Sequence, residues 1–414
     1  MWRLMRNQRL QPEELMKLQS RKLRTMVKHS YDNVPYYHSL FREAKLRPDD
    51  VKTTEDLDKI PISKKQDIVV LPLEETVAKN IDLSNCLTRR TSGSTGTPMA
   101  VYWEKRARLL NYLQHYRWHL GCGDKITNRG VVVGNRVLLP THPLQKIGVF
   151  KTKDISPFAD PETQIKQIKE FDPHTMLAPP SCARILAKEI TERDLQGINI
   201  HLIFTGAELL DENTRKLISE AFDAEVFDQH GTTEVGGVCG ECIKRTGYHI
   251  WSDSVLVEII QDCETVSKGE EGEITVTNLT NYAMPFIRYN LEDRGVLFGK
   301  ECSCGSCFPL MKITGGRSSD IIHLPGGGAM SGVVVYQRLI EIQGIKQFQL
   351  SQEKVDRFTV KIVKGSKFTN ATYEKIKGIL KQKLGNVEID VSTVDNIPRE
   401  KSGKFKPFKP MKDS

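Results

Sequence analysis

The residues with the clearest chemical potential form a short loop that combines hydroxyls with glycines. The loop reads Thr91-Ser92-Gly93-Ser94-Thr95-Gly96-Thr97-Pro98 and precedes the apolar run Met99-Ala100-Val101-Tyr102-Trp103. Glycine lets the backbone approach a ligand closely, so successive N–H groups can face an anion while the hydroxyls add further donors. The G-x-x-x-x-G-K-[ST] order of P-loop enzymes is absent. The loop therefore predicts a polyphosphate cradle of another type, although taken alone such an octet is usually a surface turn.

Five further polar motifs follow in order along the chain. They are Thr205-Gly206-Ala207-Glu208, His230-Gly231-Thr232-Thr233-Glu234, Arg288-Tyr289-Asn290-Leu291-Glu292-Asp293, Gly316-Arg317-Ser318-Ser319-Asp320 and Pro398-Arg399-Glu400-Lys401-Ser402-Gly403-Lys404. An isolated acid or histidine is usually a solvated or structural side chain, so no single motif decides the function. As a series, the six motifs resemble the adenylate-forming superfamily of acyl-CoA synthetases, luciferases and peptide-synthetase adenylation domains. Their details are similar to the phenylacetate–CoA ligase-like branch, and the resemblance extends from about Tyr31 to Lys404.

The resemblance implies an ATP-dependent carboxylate–CoA ligase. In such an enzyme a carboxylate attacks the α-phosphorus of ATP and expels pyrophosphate, and CoA then takes the acyl group and releases AMP. Enzymes of this kind work mainly by in-line positioning and by neutralising charge on the transferring group. The expected ligands are ATP or AMP, Mg²⁺, CoA and a small carboxylic acid, which the branch implies to be aromatic or arylacetic.

The resemblance also assigns roles to individual residues of this chain. The pyrophosphate would be held by the loop residues Ser92, Gly93, Ser94, Thr95, Gly96 and Thr97, of which Thr95 is counted as catalytic. The nucleotide would be surrounded by Gly206, Ala207, Glu208, His230, Gly231, Thr232, Thr233, Asp293 and Arg317. Glu234 would bind Mg²⁺, and Lys404 would bring its compact ammonium group to the forming acyl–phosphate bond. The chain departs from the family at Met99, where a lysine is usual, and at His230, where many relatives have tyrosine.

A group of cysteines and one histidine has the spacing of a metal site. Cys239-x-x-Cys242 and His249 are followed, some fifty residues later, by Cys302-x-Cys304-x-x-Cys307. Thiolate and imidazole ligands at such spacings suit tetrahedral zinc, while reduced buried cysteines and a redox role are the alternatives. The ligase-like branch has a comparable set, and its alignment selects Cys242, His249, Cys302 and Cys304. A closed set of four ligands predicts a structural rather than a catalytic zinc.

Two other functions stay open at this level. One keeps the adenylation but transfers the acyl group to an amine, a hydroxyl or a carrier-protein thiol, as capsule-biosynthesis or coenzyme-adenylating relatives do. The other is a non-enzymatic nucleotide-binding scaffold stabilised by zinc, which the departures at Met99 and His230 favour. Acid-dependent pyrophosphate exchange separates the scaffold from either enzyme.

The composition bounds the class of protein. The 414 residues are 39% hydrophobic and 27% charged, with a net charge of +8 and nine cysteines. We see no nucleic-acid-binding signature, no apolar run long enough to span a membrane and no signal-peptide pattern, so the expected protein is cytoplasmic, with neither nucleic acid nor membrane as a partner. The habit of the branch suggests a homodimer.

Apolar runs that alternate with helical patterns predict an α/β fold. Strand-like runs at 131–133, 175–178 and 200–205 and helical patterns at 12–29, 105–120, 181–192 and 211–222 indicate parallel sheets crossed by helices. Ser181 and Asp211 are expected as N-caps, and 31–37 as a turn. A small antiparallel subdomain over 258–277 completes a predicted N-terminal domain of residues 1–320. Residues 321–414 are predicted to form a small, mobile C-terminal α/β domain that rotates about Asp320.

Overall fold

The computed structural model describes residues 1–91, 98–134, 143–299, 301–315, 321–400 and 403–411. Within it the chain forms two compact units. Unit 1 consists of Met1–Ile126 with Phe227–Thr314, and unit 2 of Thr127–Val226 with Gly315–Ser414. Asp320 lies outside the described residues, so the hinge and the division at residue 320 stay predictions.

The described helices include those predicted over 12–29, 105–120, 181–192 and 211–222, and others besides. They are α1 Trp2–Asn7, α2 Pro12–Asn33, α3 Pro35–Glu43, α4 Lys65–Val69, α5 Leu73–Thr76, α6 Lys105–Gly121, α7 Pro161–Phe171, α8 Pro180–Glu192, α9 Glu212–Phe222, α10 Gly332–Ile340 and α11 Asn370–Leu384. The turn predicted over 31–37 is wrong. Helix α2 continues to Asn33, and Pro35 begins α3, because proline suits the first turn of a helix, where its missing N–H is not needed.

The strands alternate with the helices in the middle of the chain and dominate after residue 225. They are β1 Leu87–Arg90, β2 Ala100–Trp103, β3 Gly130–Val133, β4 Thr152–Ile155, β5 Thr175–Ala178, β6 Leu202–Gly206, β7 Glu225–Thr232, β8 Gly236–Glu241, β9 Tyr248–Ile250, β10 Val255–Gln261, β11 Glu264–Thr265, β12 Glu271–Asn278, β13 Tyr289–Leu297, β14 Leu310–Gly315, β15 Ile321–His323, β16 Ala329–Ser331, β17 Ile345–Lys354, β18 Arg357–Lys364, β19 Glu388–Thr393 and β20 Phe408–Lys409.

Unit 1 is organised around a largely antiparallel sheet. Its strand order is β11-β10-β12-β13-β14-β9-β8-β7, so the antiparallel subdomain predicted over 258–277 is part of a wider sheet. Strands β1 and β2 form a separate hairpin. Helix α2 buries Leu23, Met26 and Val27 in one cluster of this unit, and Val101 and Trp103 of β2 lie in another with the β10 and β12 side chains. Burial of these apolar side chains is the main force that holds the sheet in place.

Unit 2 contains the predicted parallel strands. Its first part has the order β6-β5-β3-β4 with parallel pairing throughout. Helices α7, α8 and α9 bury apolar faces around Ile168, Leu186, Ile203 and Ile218. The repeated strand–helix order predicts this arrangement, because parallel neighbours need a crossover connection. The predicted α/β fold class is confirmed.

The C-terminal part of unit 2 is a smaller α/β body. Its sheet has the order β19-β18-β17-β20, and α10 and α11 bury Leu339, Ile376 and Leu380 against Phe348 and Phe358. Strand β19 pairs parallel to β18, and β20 pairs parallel to β17 at the other edge. Helix α8 contacts this body through polar groups: the Arg184 guanidinium donates to the carbonyls of Ile340 and Lys346, at 3.5 and 3.4 Å.

The helix starts show one confirmed cap and one wrong prediction. The Asp211 side chain accepts a hydrogen bond from Thr214 N at 2.9 Å and caps α9 as predicted. Ser181 is not a cap, because α8 begins at Pro180 with Pro179 before it. The backbone N–H of Ser181 donates to the Glu208 carboxylate instead. Among the described residues, no helix combines the length and apolar character needed to cross a membrane.

Candidate active site

The hairpin β1–β2 presents the hydroxyl-rich loop. Thr91 N donates to Met99 O at 2.9 Å, and Met99 N donates back to Thr91 Oγ1 at 2.9 Å, which closes the base of the hairpin. The loop residues Ser92, Gly93, Ser94, Thr95, Gly96 and Thr97, together with Arg317, lie outside the described residues. Their roles in pyrophosphate and nucleotide binding stay predictions.

Met99, which stands at the family's lysine position, is a core residue in this chain. Its side chain is 5% exposed and packs in the cluster that contains Val101 and Trp103. A buried thioether fills space well but carries no charge for a phosphate. The replacement therefore has a packing role, and any cation at the pyrophosphate must come from another position.

The segment His230-Gly231-Thr232-Thr233-Glu234 spans the end of β7 and the turn into β8. Trp103 Nε1 donates to Thr233 O at 3.1 Å, and Val235 N donates to Thr232 Oγ1 at 3.3 Å. A Cβ on Gly231 would lie 2.5 Å from Gly236 O, so the close approach of the two strands requires glycine there. The backbone of the segment is thus held on both sides.

Two side-chain contacts join this segment to β13. His230 Nε2 lies 3.2 Å from Asp293 Oδ2, and the Tyr289 hydroxyl donates to Glu234 Oε1 at 3.4 Å. The contacts are four residues apart on each segment, although β14, β9 and β8 separate β13 from β7 in the strand order. The sheet of unit 1 therefore curves enough to bring together an imidazole and two carboxylates that the sequence separates by some sixty residues. We call this group the acidic rim; it consists of His230, Glu234, Tyr289 and Asp293.

The acidic rim has the chemistry of a nucleotide and cation site. The side chains of His230 and Asp293 are partly exposed, at 18% and 13%. The Asp293 carboxylate can accept hydrogen bonds from two hydroxyls, and a planar imidazole beside it can stack on a base. The Glu234 carboxylate is a hard oxygen ligand of the type that Mg²⁺ prefers. Tyr289 was not among the predicted site residues, and its position in the same motif as Asp293 is the signal in the sequence that points to it.

The remaining predicted residues lie in unit 2. Strand β6 ends at Gly206, and Ala207 adopts a left-handed conformation with φ of 71°, which is uncommon for a residue with a Cβ. The Glu208 carboxylate accepts hydrogen bonds from Ser181 N at 3.0 Å and from Phe405 N at 2.7 Å. The structure thus gives Glu208 main-chain partners, one of which directly follows Lys404. Ser181 and Phe405 were not selected from the sequence as site residues, because backbone N–H groups have no residue-type signature.

The four cysteine and histidine side chains selected through the resemblance converge on one point in unit 1. Ligand atoms of Cys242, His249, Cys302 and Cys304 all lie within 4.8 Å of one another. The Cys242 and Cys302 sulfurs are 3.6 Å apart, close to the roughly 3.8 Å expected for two thiolates on a tetrahedral zinc. Cys304 Sγ lies 3.2 Å from His249 Nε2. We call this group the Cys/His cluster.

The surroundings of the Cys/His cluster suit metal binding. His249 Nδ1 lies 2.8 Å from Phe308 O and can donate to it, which leaves Nε2 free to act as a ligand. Burial raises the pKa of Cys302, but hydrogen bonds led by that of the Thr246 hydroxyl outweigh it and lower the pKa overall. Burial raises the pKa of Cys304 to about 12. A divalent cation would favour both thiolates, since metal binding competes with protons for the same sulfur atoms.

The two other cysteines of the motif have separate environments. Cys239 is fully buried in the apolar core of unit 1, and burial raises its pKa well above the usual value. Cys307 Sγ contacts Asn7 O at 3.5 Å. Burial also raises the pKa of Cys307. Neither residue belongs to the group that converges, so they are not substitutes for the four.

Comparison with known proteins agrees with this arrangement. Residues 17–282 match the AMP-binding enzyme family, and residues 323–409 match the CapK C-terminal domain. The phenylacetate-coenzyme A ligase of Thermus thermophilus is 28% identical over 343 residues, which cover 76% of this chain and 73% of that protein. The enzyme of the same name from Pseudomonas putida is 28% identical over 369 residues, with coverage of 82% and 77%.

Solved structures share the fold at lower identity. A 2-hydroxyisobutyryl-CoA ligase in the postadenylation state, in complex with 2-HIB-AMP, superposes with a TM-score of 0.81 at 18% identity, over 97% of this chain and 91% of that chain. An anthranilate CoA ligase in complex with anthranoyl-AMP superposes with a TM-score of 0.58 at 16% identity, over 79% and 67% of the two chains. The first of these likenesses extends over nearly the whole chain.

Proposed function

Since this chain belongs to the AMP-binding enzyme family, we propose that it is an ATP-dependent ligase that joins a carboxylic acid to CoA through an acyl-adenylate. The acid we propose is aromatic or arylacetic, because four related proteins, each 28 or 29% identical, are phenylacetate-CoA ligases. The observation that carries the proposal is the acidic rim. Its histidine and carboxylates meet on a family scaffold at the positions that the resemblance assigns to the nucleotide and its metal.

The proposed reaction has two steps. An oxygen of the substrate carboxylate forms a bond to the α-phosphorus of ATP, and the bond from that phosphorus to the bridging oxygen of pyrophosphate breaks. The CoA thiolate then bonds to the acyl carbon, and AMP leaves with the electron pair of the carbon–oxygen bond. Stabilisation of charge on the phosphoryl oxygens is the main demand of the first step.

We infer that some residues of this chain bind the nucleoside and others stabilise the charge on its phosphates. In our proposal Asp293 accepts hydrogen bonds from the ribose hydroxyls, and His230 stacks on the adenine while its Nε2 stays beside Asp293. Glu234 would hold Mg²⁺, which neutralises the phosphates when it is bound. Lys404 would place a positive charge at the α-phosphate during adenylation. These residues would bind and orient the nucleotide, so the loss of any one of them should affect adenylation more than thioester formation.

The Cys/His cluster is proposed to hold a structural zinc. Its four donors, His249 with Cys242, Cys302 and Cys304, match the ligand types and number of closed zinc sites. Such a site would tie the strand β9 to the segment 302–304 and keep no position open for a substrate. Elemental analysis of the purified chain tests it: about one zinc per chain is expected, and a fully stable metal-free protein would count against it.

The test of the ligase activity is incubation with ATP, Mg²⁺, CoA and a mixed library of carboxylic acids, followed by mass spectrometry. An acyl-CoA and AMP are expected, with an aromatic acid selected from the library. An adenylate that forms without CoA-dependent release of AMP would instead indicate an amine, a hydroxyl or a carrier-protein thiol as acceptor. Failure of every acid to support pyrophosphate exchange would indicate a nucleotide-binding scaffold.

A substitution sharpens the same assay. Lys404→Ala should lower acid-dependent pyrophosphate exchange by about 10²- to 10³-fold while ATP binding is retained, because a transition-state charge contact is lost. Lys409→Ala is the matched control, since Lys409 is exposed and lies five residues further on in the same segment. Equal exchange by wild type and Lys404→Ala would refute the catalytic role of this lysine.

A further inference from the structure

We propose that Glu208 is a positioning residue that latches the Lys404 loop, of which the structure describes residues 398–400 and 403–405, in place for adenylation and releases it for thioester formation. The proposal rests on the proposed ligase function, and it gives Glu208 a role different from the one that the motif resemblance assigns. The resemblance places Glu208 beside the adenine. The contacts of its carboxylate point instead to the C-terminal loop.

Both carboxylate oxygens of Glu208 bind main-chain N–H groups from two distant segments. Oε2 accepts from Ser181 N at 3.0 Å, in the first turn of α8, and Oε1 accepts from Phe405 N at 2.7 Å. Hydrogen bonds to an ionised carboxylate are shorter and stronger than neutral ones. Glu208 is half-buried, so water competes weakly for the same oxygens. One side chain thus joins the strand–helix body of unit 2 to the residue that follows Lys404.

Arg399 holds the other end of the same loop at the same place. Its Nη1 donates to Ser181 Oγ at 2.8 Å and to Gly403 O at 3.2 Å. The loop also closes on itself, because Glu400 N donates to Lys404 O at 2.9 Å and Gly403 N donates to Glu400 O at 2.8 Å. Lys404 therefore lies between two anchors that both converge on the start of α8.

The chain beyond the loop is attached differently. Gln349 Nε2 donates to Lys406 O at 2.7 Å, and Leu350 N donates to Pro407 O at 2.9 Å, so residues 406 and 407 are bound to β17 of the C-terminal body. If the contacts of Glu208 and Arg399 break, the Lys404 loop stays with that body. The latch is therefore the local attachment that must open whenever the C-terminal body carries Lys404 away.

The position of Glu208 links this latch to the nucleotide. Glu208 directly follows Gly206 and Ala207, which the resemblance places against the adenine, and Ala207 is held at a φ of 71°. A residue in this conformation persists only where the surrounding structure stabilises it. Ala207, which would contact the bound nucleotide, and Glu208, which holds the Lys404 loop, are thus consecutive residues of one strained turn.

The test measures the two half-reactions separately in Glu208→Ala and Glu208→Gln. Acid-dependent pyrophosphate exchange should fall by about 10- to 100-fold in Glu208→Ala and less in Glu208→Gln, since the amide oxygen can still accept one hydrogen bond. Thioester formation from supplied acyl-adenylate and CoA should stay within about 3-fold of wild type. Glu220→Ala, an exposed glutamate of α9, is the matched control.

A double mutant separates the latch from a direct contact with adenine. If Glu208 acts through Lys404, Glu208→Ala should have almost no further effect on exchange in a Lys404→Ala background, because both remove the same interaction. Additive effects, an equal loss in both half-reactions or a change confined to the KM for ATP would overturn the proposal.

Hydrogen exchange of the resting protein gives a readout that needs no activity. The amide of Phe405 should exchange slowly in wild type and at least 10-fold faster in Glu208→Ala, with an unchanged melting temperature. Unaltered exchange across residues 398–405 would overturn the latch. An inactive wild type in which Glu208→Ala still accelerates this exchange would retain the latch and refute only the ligase function.

Discussion

The hairpin formed by β7 and β8 has a different arrangement of polar side chains at each of its two ends. The turn end carries Glu234 and lies beside Asp293 and Tyr289, where contacts of 3.2 and 3.4 Å pair groups across two segments. The other end leads into Cys242, and the donors of the Cys/His cluster all point to one centre. The paired side chains of the acidic rim can each give up a partner to bind a ligand. The four side chains of the Cys/His cluster converge, so a single metal ion can bind all of them. One hairpin thus carries, at its two ends, the group proposed to bind the nucleotide and the group proposed to hold a structural metal.

The largest expected effect comes from a substitution at the end of the hairpin that leads into the Cys/His cluster. Cys302→Ser should abolish stoichiometric zinc and lower the free energy of unfolding by several kcal/mol, because the binding energy of a structural metal is part of the folding energy. Elemental analysis and denaturant unfolding measure the two effects. Cys263→Ser is the control, since Cys263 is exposed and outside the cluster. Equal stability of the two variants would remove the distinction between the ends.

The next largest effect is expected from a substitution at the turn end of the hairpin, which carries Glu234. Glu234→Gln keeps the size and one oxygen of the side chain but removes its charge, so kcat/KM for acid-dependent pyrophosphate exchange should fall by about 10²-fold. The melting temperature should change by no more than a few degrees, as measured by differential scanning calorimetry. Glu264→Gln on the exposed strand β11 serves as control. A large loss of stability in Glu234→Gln would mean that this carboxylate is structural after all.

A substitution between the two ends tests whether they are independent. A Cβ on Gly237 would overlap the Trp251 ring at Cζ3, so Gly237→Ala should cost about 1–3 kcal/mol through overpacking. Zinc content should be retained, and exchange activity should fall by less than in Glu234→Gln. At Gly121 a Cβ would meet nothing within 4 Å, so Gly121→Ala is the control. Loss of both zinc and activity in Gly237→Ala would show that the ends are coupled.

The smallest effect concerns the weakest contact of the acidic rim. Tyr289→Phe removes the hydroxyl that donates to Glu234 Oε1 at 3.4 Å, and a neutral hydrogen bond of this kind contributes about 0.5–1.5 kcal/mol. We expect a two- to tenfold higher KM for ATP in the pyrophosphate exchange assay and little change in kcat. The same substitution in a Glu234→Gln background should have less effect, and full additivity would mean that the hydroxyl acts on something else.

Local sequence patterns predict most of the elements and their class. Apolar spacing at 181–192 and 211–222 reports a helix face, because periodicity is a local property that survives in any tertiary setting. The same holds for the Asp211 cap, whose partner lies three residues away. The order of the polar motifs was enough to indicate the family and the candidate residues His230, Glu234, Asp293 and Lys404.

Which of these residues meet depends on contacts between distant parts of the folded chain. Residue types and spacing left six possible ligands in the cysteine motif, and the fold places Cys239 in the core and Cys307 beside Asn7. It buries Met99 and gives Glu208 two backbone partners more than twenty and nearly two hundred residues away. Such contacts depend on sheet curvature and on main-chain N–H groups, which every residue except proline has. Residue types therefore do not predict these contacts, and the three-dimensional structure is needed to identify them.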